Sequence, residues 1–183
     1  MKGAMSLSLY EGRLVRLRAR ELADAEANYR WINDHEVVRN IMMRYPSSMA
    51  DQRKRLEDGP SPGFSAALFG IETLADDTYI GWCGLSSGSA EDRSAHLGIA
   101  IGDKGYWNGG YGTDAMRTLC RFGFESMNLH RIELGVFEEN KRARRVYEKL
   151  GFQHEGQRRD ADYREGSYRD VTLMGLLAGE LRG

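Results

Sequence analysis

The sequence from residue 106 to residue 113 reads YWNGGYGT, and an amphipathic run that predicts a helix follows it directly. Three glycines, Gly109, Gly110 and Gly112, remove side chains where a strand would turn into that helix. Bare backbone N–H groups at a helix N-terminus attract an anion, because the helix dipole places partial positive charge there. The stretch therefore predicts a phosphate cradle, although a plain tight turn with glycine at positive φ would also fit it.

A second informative segment, NKRARRVYEKLGF, occupies residues 140–152. Asn140 is a suitable N-cap and Gly151 a suitable C-terminal residue for a helix between them. Helical spacing gives that helix one apolar stripe, made of Ala143, Val146, Tyr147 and Leu150. The spacing alone is that of an ordinary core tyrosine, but the glycine loop makes a proton-donating role for Tyr147 a second interpretation.

The composition is typical of one globular domain, with 41% hydrophobic and 29% charged residues in 183. We expect this domain to span residues 1–183, with its core at about 13–177 and residues 1–4 resembling an expression-tag remnant.

The net charge of -1 argues against a general nucleic-acid binder. No stretch approaches the roughly 18 apolar residues of a membrane helix, and the N-terminus lacks the apolar core of a signal peptide, which favours a cytoplasmic protein. Cys83 and Cys120 have no flanking ligand pattern, so we expect neither a disulfide framework nor a metal site.

Periodicity and turn signals divide the chain into alternating elements. The pattern predicts strands at 13–20, 64–73, 79–87, 94–101, 131–136, 152–159 and 167–176. It predicts helices at 22–33, around 37–41, and at 49–58, 113–126 and 142–150. Antiparallel hairpins combined with one strand–helix–strand unit indicate a single α+β domain.

Small residues on two of these strands predict a groove. His96, Gly98 and Ala100 share one face of the strand at 94–101, and Glu133 and Gly135 share a face of the strand at 131–136. If the strands are neighbours, a groove opens there with His96 and Glu133 near its end. It would admit an extended ligand such as a pantetheine arm, or else only a packing helix.

The same glycine loop also matches the dinucleotide fingerprint Gly-x-Gly-x-x-Ala at Gly110, Gly112 and Ala115. An NAD-dependent oxidoreductase is therefore an alternative, with Glu133 near the distance expected of a ribose-binding acid. Two features count against it, because Glu133 lies in mid-strand and a dinucleotide domain usually needs two strand–helix–strand halves. A non-catalytic acyl-CoA-binding module is a further alternative.

Taken together, the loop and the tyrosine helix resemble the acetyl-CoA signature of the GNAT superfamily of N-acetyltransferases. Residues 13–177 are similar to its RimJ/RimL-type branch. The resemblance implies a GNAT-like α+β domain whose mixed, twisted sheet of about six to seven strands is flanked by helices on both faces. It implies an enzyme that transfers the acetyl group of its cosubstrate, acetyl-CoA, to a protein N-terminus or a small-molecule amine. Dimers are common in the family, which leaves a homodimer open.

The resemblance also implies where the cofactor binds. In the family the loop amides hold the CoA pyrophosphate, the preceding strand pairs with the pantetheine, and the helix-capping Asn contacts the cofactor. The positions that match here are Ile99, Ala100, Ile101, Trp107, Asn108, Gly109, Gly110, Tyr111, Gly112, Thr113, Asn140, Arg142, Ala143 and Tyr147. Trp107 replaces the Gln or Arg that often opens the loop. Arg142 would add charge near the phosphates, or simply belong to a solvated helix face.

Three residues are the candidates for catalysis. The family resemblance gives Tyr147 the role of the general acid that protonates the departing CoA thiolate. A Glu is frequent in the family where this chain has His96, so the base that deprotonates the amine is His96, Glu133 or a water chain. We expect the acceptor to enter between residues 31–45 and residues 160–166. Acidic side chains there would attract a cationic amine: Asp34, Glu36, Asp160, Asp162 and Glu165.

Overall fold

The computed structural model describes residues 8–183, so the suggested tag remnant at residues 1–4 lies outside the described residues. Over that range the chain forms seven strands: β1 (Val15–Arg18), β2 (Ala66–Thr73), β3 (Tyr79–Ser89), β4 (Ser94–Ile101), β5 (Arg131–Phe137), β6 (Gln153–Arg164) and β7 (Ser167–Leu177). It also forms five α-helices: α1 (Ala25–Ile32), α2 (His35–Val38), α3 (Met49–Glu57), α4 (Tyr111–Glu125) and α5 (Lys141–Leu150). Short 3-10 helices occupy Leu22–Asp24 and Lys104–Tyr106.

All seven strands belong to one sheet, in the order β1-β2-β3-β4-β5-β7-β6. Every neighbouring pair is antiparallel except β4 and β5, which are parallel and joined through α4. This is the one strand–helix–strand unit that the sequence predicts. The mixed α+β sheet of the prediction is confirmed.

Helices cover both faces of the sheet. Two side chains of β3 that point in opposite directions reach a different helix on each face. On β3, Leu85 contacts Gly123 of α4. The nearby Trp82 points to the other face, where its ring lies 6.3 Å from the ring of Trp31 on α1. Both cysteines, Cys83 and Cys120, are buried with free thiols, and this burial raises the pKa of each thiol.

The sheet splits where β4 and β5 part. Ser94–His96 pairs with Arg131–Glu133, and neither strand pairs with the other beyond those residues. From there β4 stays with β3 and β5 stays with β7. A cleft opens between the diverging ends.

The predicted loop at 160–166 is wrong. β6 continues to Arg164, and a two-residue turn of Glu165 (φ 51°) and Gly166 (φ 80°) leads into β7. Positive φ at both turn residues is the usual geometry of a tight hairpin. The polar run around Asp160 and Asp162 hid the strand, because β6 is an edge strand with a register shift between Arg158 and Asp162.

The described residues contain no helix that is both long enough and apolar enough to cross a membrane.

Candidate active site

The glycine loop forms an open helix N-terminus. Asn108 and Gly110 adopt left-handed backbone angles, with φ of 65° and 88°, and Gly110 is the N-cap of α4. Gly110 has no side chain to cap the helix, so the amides of the first turn from Tyr111 onward have no side-chain partner there. The loop offers backbone donors and the positive end of a 15-residue helix to an anion.

Side chains from both flanks hold this loop. The indole Nε1 of Trp107 donates to the carbonyl oxygen of Ile101 at 2.8 Å, which ties the loop to the end of β4. Arg142 of α5 lies over the Trp107 ring at 5.2 Å and donates to Asn108 Oδ1 at 3.2 Å. One guanidinium therefore stands beside the glycine loop, although Trp107 itself brings no charge.

Helix α5 begins and ends as its sequence indicates. The Asn140 side-chain oxygen accepts the N–H of Ala143 at 3.1 Å, and Gly151 closes the helix with φ of 107°. Tyr147 packs its ring against Phe152, with 6.0 Å between the centroids. Burial raises the pKa of the Tyr147 phenol to about 12, so this group keeps its proton at neutral pH.

The cleft between β4 and β5 has a volume of about 510 Å³. It brings together four of the predicted site residues: His96, Ile99, Ala100 and Tyr147. The other predicted residues do not line it: Glu133, Ile101, Trp107, Asn108, Gly109, Gly110, Tyr111, Gly112, Thr113, Asn140, Arg142 and Ala143. Most of those belong to or adjoin the glycine loop, which follows β4 after the short 3-10 helix at Lys104–Tyr106.

The two candidate bases touch each other. His96 Nε2 lies 2.7 Å from Glu133 Oε1, and the two residues are register partners on β4 and β5. Glu133 Oε2 in turn accepts from Arg131 Nε at 3.1 Å, and Arg131 forms a two-pronged ion pair with Glu155 of β6. The cluster crosses one face of the sheet, where Gly175 of β7 leaves room for Glu155.

Arg131 and Glu155 are members of this cluster that the sequence did not reveal. Arg131 shares a strand face with Glu133, which was a usable signal. Glu155 was not predictable in this role, because its contact depends on β6 lying beyond β7 in the sheet.

Four of the five acidic residues expected to attract the acceptor already face cations of the same chain. Lys104 Nζ lies 2.8 Å from Asp34 and 2.9 Å from Glu36. The same holds at the β6–β7 hairpin for Asp162, paired with Arg44 and Arg164, and for Glu165, paired with His35 and Arg169. Asp160 has no ion pair within residues 8–183.

Part of the remaining lining was also predicted, because Gly98 and Gly135 belong to the expected groove and residues 40–43 fall in the stretch 31–45 where we expected the acceptor to enter. The sequence did not reveal four other lining residues: Arg20, Leu68, Trp82 and Phe137. They come from four separate stretches of chain, so no local motif marks them. No group of three or more His, Cys, Asp or Glu that could hold a metal ion occurs in residues 8–183.

Known proteins share sequence and fold with this chain. A family model described as the acetyltransferase (GNAT) domain matches residues 14–153. An uncharacterized N-acetyltransferase of Bacillus licheniformis, p20, is 33% identical over 178 residues, which cover 96% of this chain and 99% of that protein. The [ribosomal protein uS5]-alanine N-acetyltransferase of Escherichia coli is 31% identical, over 90% of this chain and 85% of its own. The crystal structure of spermidine N-acetyltransferase from Vibrio cholerae in complex with CoA and spermine superposes with a TM-score of 0.80 at 25% identity, over 91% of this chain and 96% of that one.

Proposed function

The chain belongs to the acetyltransferase (GNAT) family, and from that premise we propose that it acetylates a primary amine by direct attack, with Tyr147 as the general acid. It is an N-acetyltransferase, and acetyl-CoA is its cosubstrate. The observation that carries the proposal is the cleft between β4 and β5, because Tyr147 lines it and the phosphate cradle lies just beyond it.

The cofactor would lie along this path in an extended form. The first-turn amides of α4 and the adjacent Arg142 would bind the pyrophosphate. The pantetheine would then run beside the unpaired edge of β4, from Ile101 toward Ile99, where no strand supplies hydrogen-bond partners. This leaves the thioester inside the cleft, close to Tyr147.

Tyr147 is suited to donate a proton to the leaving sulfur. Its raised pKa of about 12 keeps the phenol protonated at every assay pH near neutrality. A thiol has an ordinary pKa of about 8.5, so the CoA thiolate is a good leaving group from the thioester. A thiolate that leaves inside the cleft becomes more basic, because burial disfavours its charged form. The phenol O–H can therefore stabilise the thiolate as the carbon–sulfur bond breaks.

His96 is the base we assign to the attacking amine, with Glu133 as the group that orients it. The imidazole lines the cleft, whereas the Glu133 carboxylate lies beside it and does not line the cleft. A carboxylate bonded to one ring nitrogen fixes the tautomer and leaves the other nitrogen to accept a proton. Direct proton removal by Glu133 is the competing arrangement.

Relatives of this chain act on different amines, an alanine of ribosomal protein uS5 in one case and spermidine in another. A primary amine, on a protein N-terminus or on a small molecule, is the class they share.

The topology argues against an NAD-dependent oxidoreductase. Among residues 8–183 only one pair of strands, β4 and β5, is parallel, so the second strand–helix–strand half of a dinucleotide domain is absent. Glu133 also pairs with His96 and Arg131 in mid-strand instead of standing at a strand end.

Calorimetry followed by a thiol-release assay tests the proposal. We expect the protein to bind acetyl-CoA and not NAD, and to release CoA thiol only when an amine is present. Binding of acetyl-CoA with no thiol release on any amine would instead identify a non-catalytic acyl-CoA-binding module. No binding of acetyl-CoA would refute the assignment of the cleft.

A further inference from the structure

Among residues 8–183, Arg20 is the one permanently charged side chain that lines the cleft. No carboxylate oxygen of residues 8–183 lies within 4.0 Å of its nitrogen atoms. Its guanidinium sits beside the C-terminal end of α3, where a Cβ on Gly59 would be 3.1 Å from Arg20 Nη2. That helix end offers only partial negative charge. With no carboxylate within reach, the half-buried guanidinium keeps a full charge that can pair with an anion entering the cleft.

The acidic residues around the cleft show the opposite arrangement. Asp34 and Glu36 are bound to Lys104, and Glu133 to His96 and Arg131. No Asp or Glu side chain in the described part of the chain lines the cleft itself. A polycation would therefore find no uncompensated negative charge in the cleft and one positive charge, which disfavours its binding.

The floor of the cleft is apolar and partly bare. Leu68, Gly84 and Gly98 stand side by side on β2, β3 and β4, and Trp82 lies next to Gly84 on the same face. A Cβ atom at Gly98 would meet nothing within 4 Å, so open space lies above it. An aliphatic or aromatic group can occupy that space and bury its surface against Leu68 and Trp82.

The roof of the cleft is fixed in place. Residues 40–43 form this roof, and the residues on each side of them contact the β6–β7 hairpin. Arg164 donates to the Val38 carbonyl at 3.0 Å on one side, and Arg44 pairs with Asp162 at 2.5 Å on the other. A roof held at both ends over a cleft of about 510 Å³ suits a small acceptor.

We propose that the acceptor is a small amine with an apolar skeleton and a carboxylate, of the class of apolar α-amino acids, and that Arg20 binds the carboxylate. This inference rests on the proposed acetyl transfer at the same cleft. The amine nitrogen bonds to the acetyl carbon and the carbon–sulfur bond breaks. The sulfur leaves with a proton as CoA thiol, and one proton of the amine passes to the base.

Matched acceptors test the role of the carboxylate. Leucine and phenylalanine are compared with their decarboxylated counterparts, isoamylamine and phenethylamine, in the thiol-release assay, with spermidine and a leucine-initiated tetrapeptide beside them. We expect kcat/KM for the amino acids to exceed that of the matched amines on the order of 10- to 100-fold, the value of a hydrogen-bonded charge. Spermidine and the peptide should be the poorest acceptors.

Variants of the arginine complete the test. Arg20→Gln should raise the KM for leucine on the order of 10- to 100-fold and leave the KM for isoamylamine and the affinity for acetyl-CoA unchanged. Arg53→Gln, an exposed arginine of α3 outside the cleft, is the control and should change neither.

Three outcomes are decisive against the inference. Equal turnover of amino acid and matched amine, a preference for spermidine or the peptide, or an Arg20→Gln enzyme that keeps its KM for leucine would each overturn it while the acetyl transfer stands. No thiol release with any of these amines would count against the proposed function itself.

Discussion

The cofactor half and the acceptor half of this molecule are built in different ways. The proposed phosphate cradle is one short stretch of chain, residues 108–113, which Trp107 ties to the end of β4 and Arg142 ties to α5. The acceptor half joins distant parts of the sequence. Its contacts His35–Glu165, Arg44–Asp162 and Val38–Arg164 span 130, 118 and 126 residues.

The difference is what the proposed ligands would require. In the proposed arrangement the pyrophosphate binds backbone amides at a helix end, and a short glycine-rich stretch can supply these. An acceptor must be recognised by side chains, and these come from whichever elements the sheet brings together. The two halves should therefore respond separately to mutation, one through the affinity for acetyl-CoA and the other through the KM for the amine.

Tyr147→Phe should show the largest effect, because Tyr147 lies where the two halves meet. We expect kcat to fall about 10²-fold or more, the usual contribution of a general acid, with acetyl-CoA affinity and amine KM nearly unchanged. Tyr29→Phe, an exposed tyrosine of α1, is the control. An unaltered kcat, measured where chemistry limits the rate, would remove Tyr147 from the mechanism.

The pH dependence gives an independent measurement of the same phenol. Burial raises the pKa of Tyr147 above its ordinary value, to about 12, so the protonated form persists as pH rises through 10. Loss of kcat through this group should therefore begin only as the pH approaches 12. A fall in kcat with a midpoint near pH 10 that disappears in Tyr147→Phe would show an unperturbed phenol.

His96→Gln should have the next largest effect, on the order of 10- to 100-fold in kcat. The loss is smaller than for Tyr147→Phe because the Glu133 carboxylate, 2.7 Å from His96 Nε2 in the wild type, remains nearby as a substitute base. The acid limb of the pH–rate profile should also change its midpoint. A variant with the wild-type profile would exclude His96 as the titrating base and favour Glu133.

Local sequence was sufficient for the fold because each element carries its own signals. Asn140 and Gly151 delimit α5 as their residue types predict, and β4 spans the predicted range Ser94–Ile101. The end of β6 was missed because polar residues on an edge strand lack the alternation that marks a half-buried one. A tight turn of Glu165 and Gly166 replaced the expected loop.

The residues of the candidate site likewise fall into predictable and unpredictable ones. The neighbourhood of His96 and Glu133 was predictable, since small residues on two adjacent strands indicated a groove with both at its end. Arg20 was not predictable as a cleft residue. It follows β1 in the sequence and comes to the cleft only when the sheet has folded. Ion pairs such as Lys104 with Asp34 also could not be read from composition, and they cancel the charge that the acidic loops suggested.

Gly110→Val tests the cofactor half alone. A β-branched residue is strained at a φ of 88°, so the N-cap of α4 should shift and the amides lose their alignment. We expect the Kd for acetyl-CoA to rise about tenfold, with the amine KM unchanged at saturating acetyl-CoA. Gly179→Val is the matched control, because Gly179 has a φ of 97° and its Cβ would meet nothing within 4 Å. An equal change of Kd in both variants would show a general loss of stability instead of a cradle at Gly110.

Arg44→Gln tests the acceptor half, with the smallest effect of the series. The substitution removes the 2.5 Å ion pair with Asp162, while Asp162 keeps Arg164 at 2.8 Å, so the hairpin stays in place and the roof at residues 40–43 loosens on one side. Because such a partly exposed pair contributes at most about 1 kcal/mol, the KM for the amine should change only a few-fold. The Kd for acetyl-CoA should stay constant. Arg16→Gln, the control, removes the ion pairs of Arg16 with Glu72 and Asp77, none of which lines the cleft, and should alter neither quantity. A change in acetyl-CoA affinity on Arg44→Gln would mean that the two halves are coupled through the roof, and the separation between them would no longer hold.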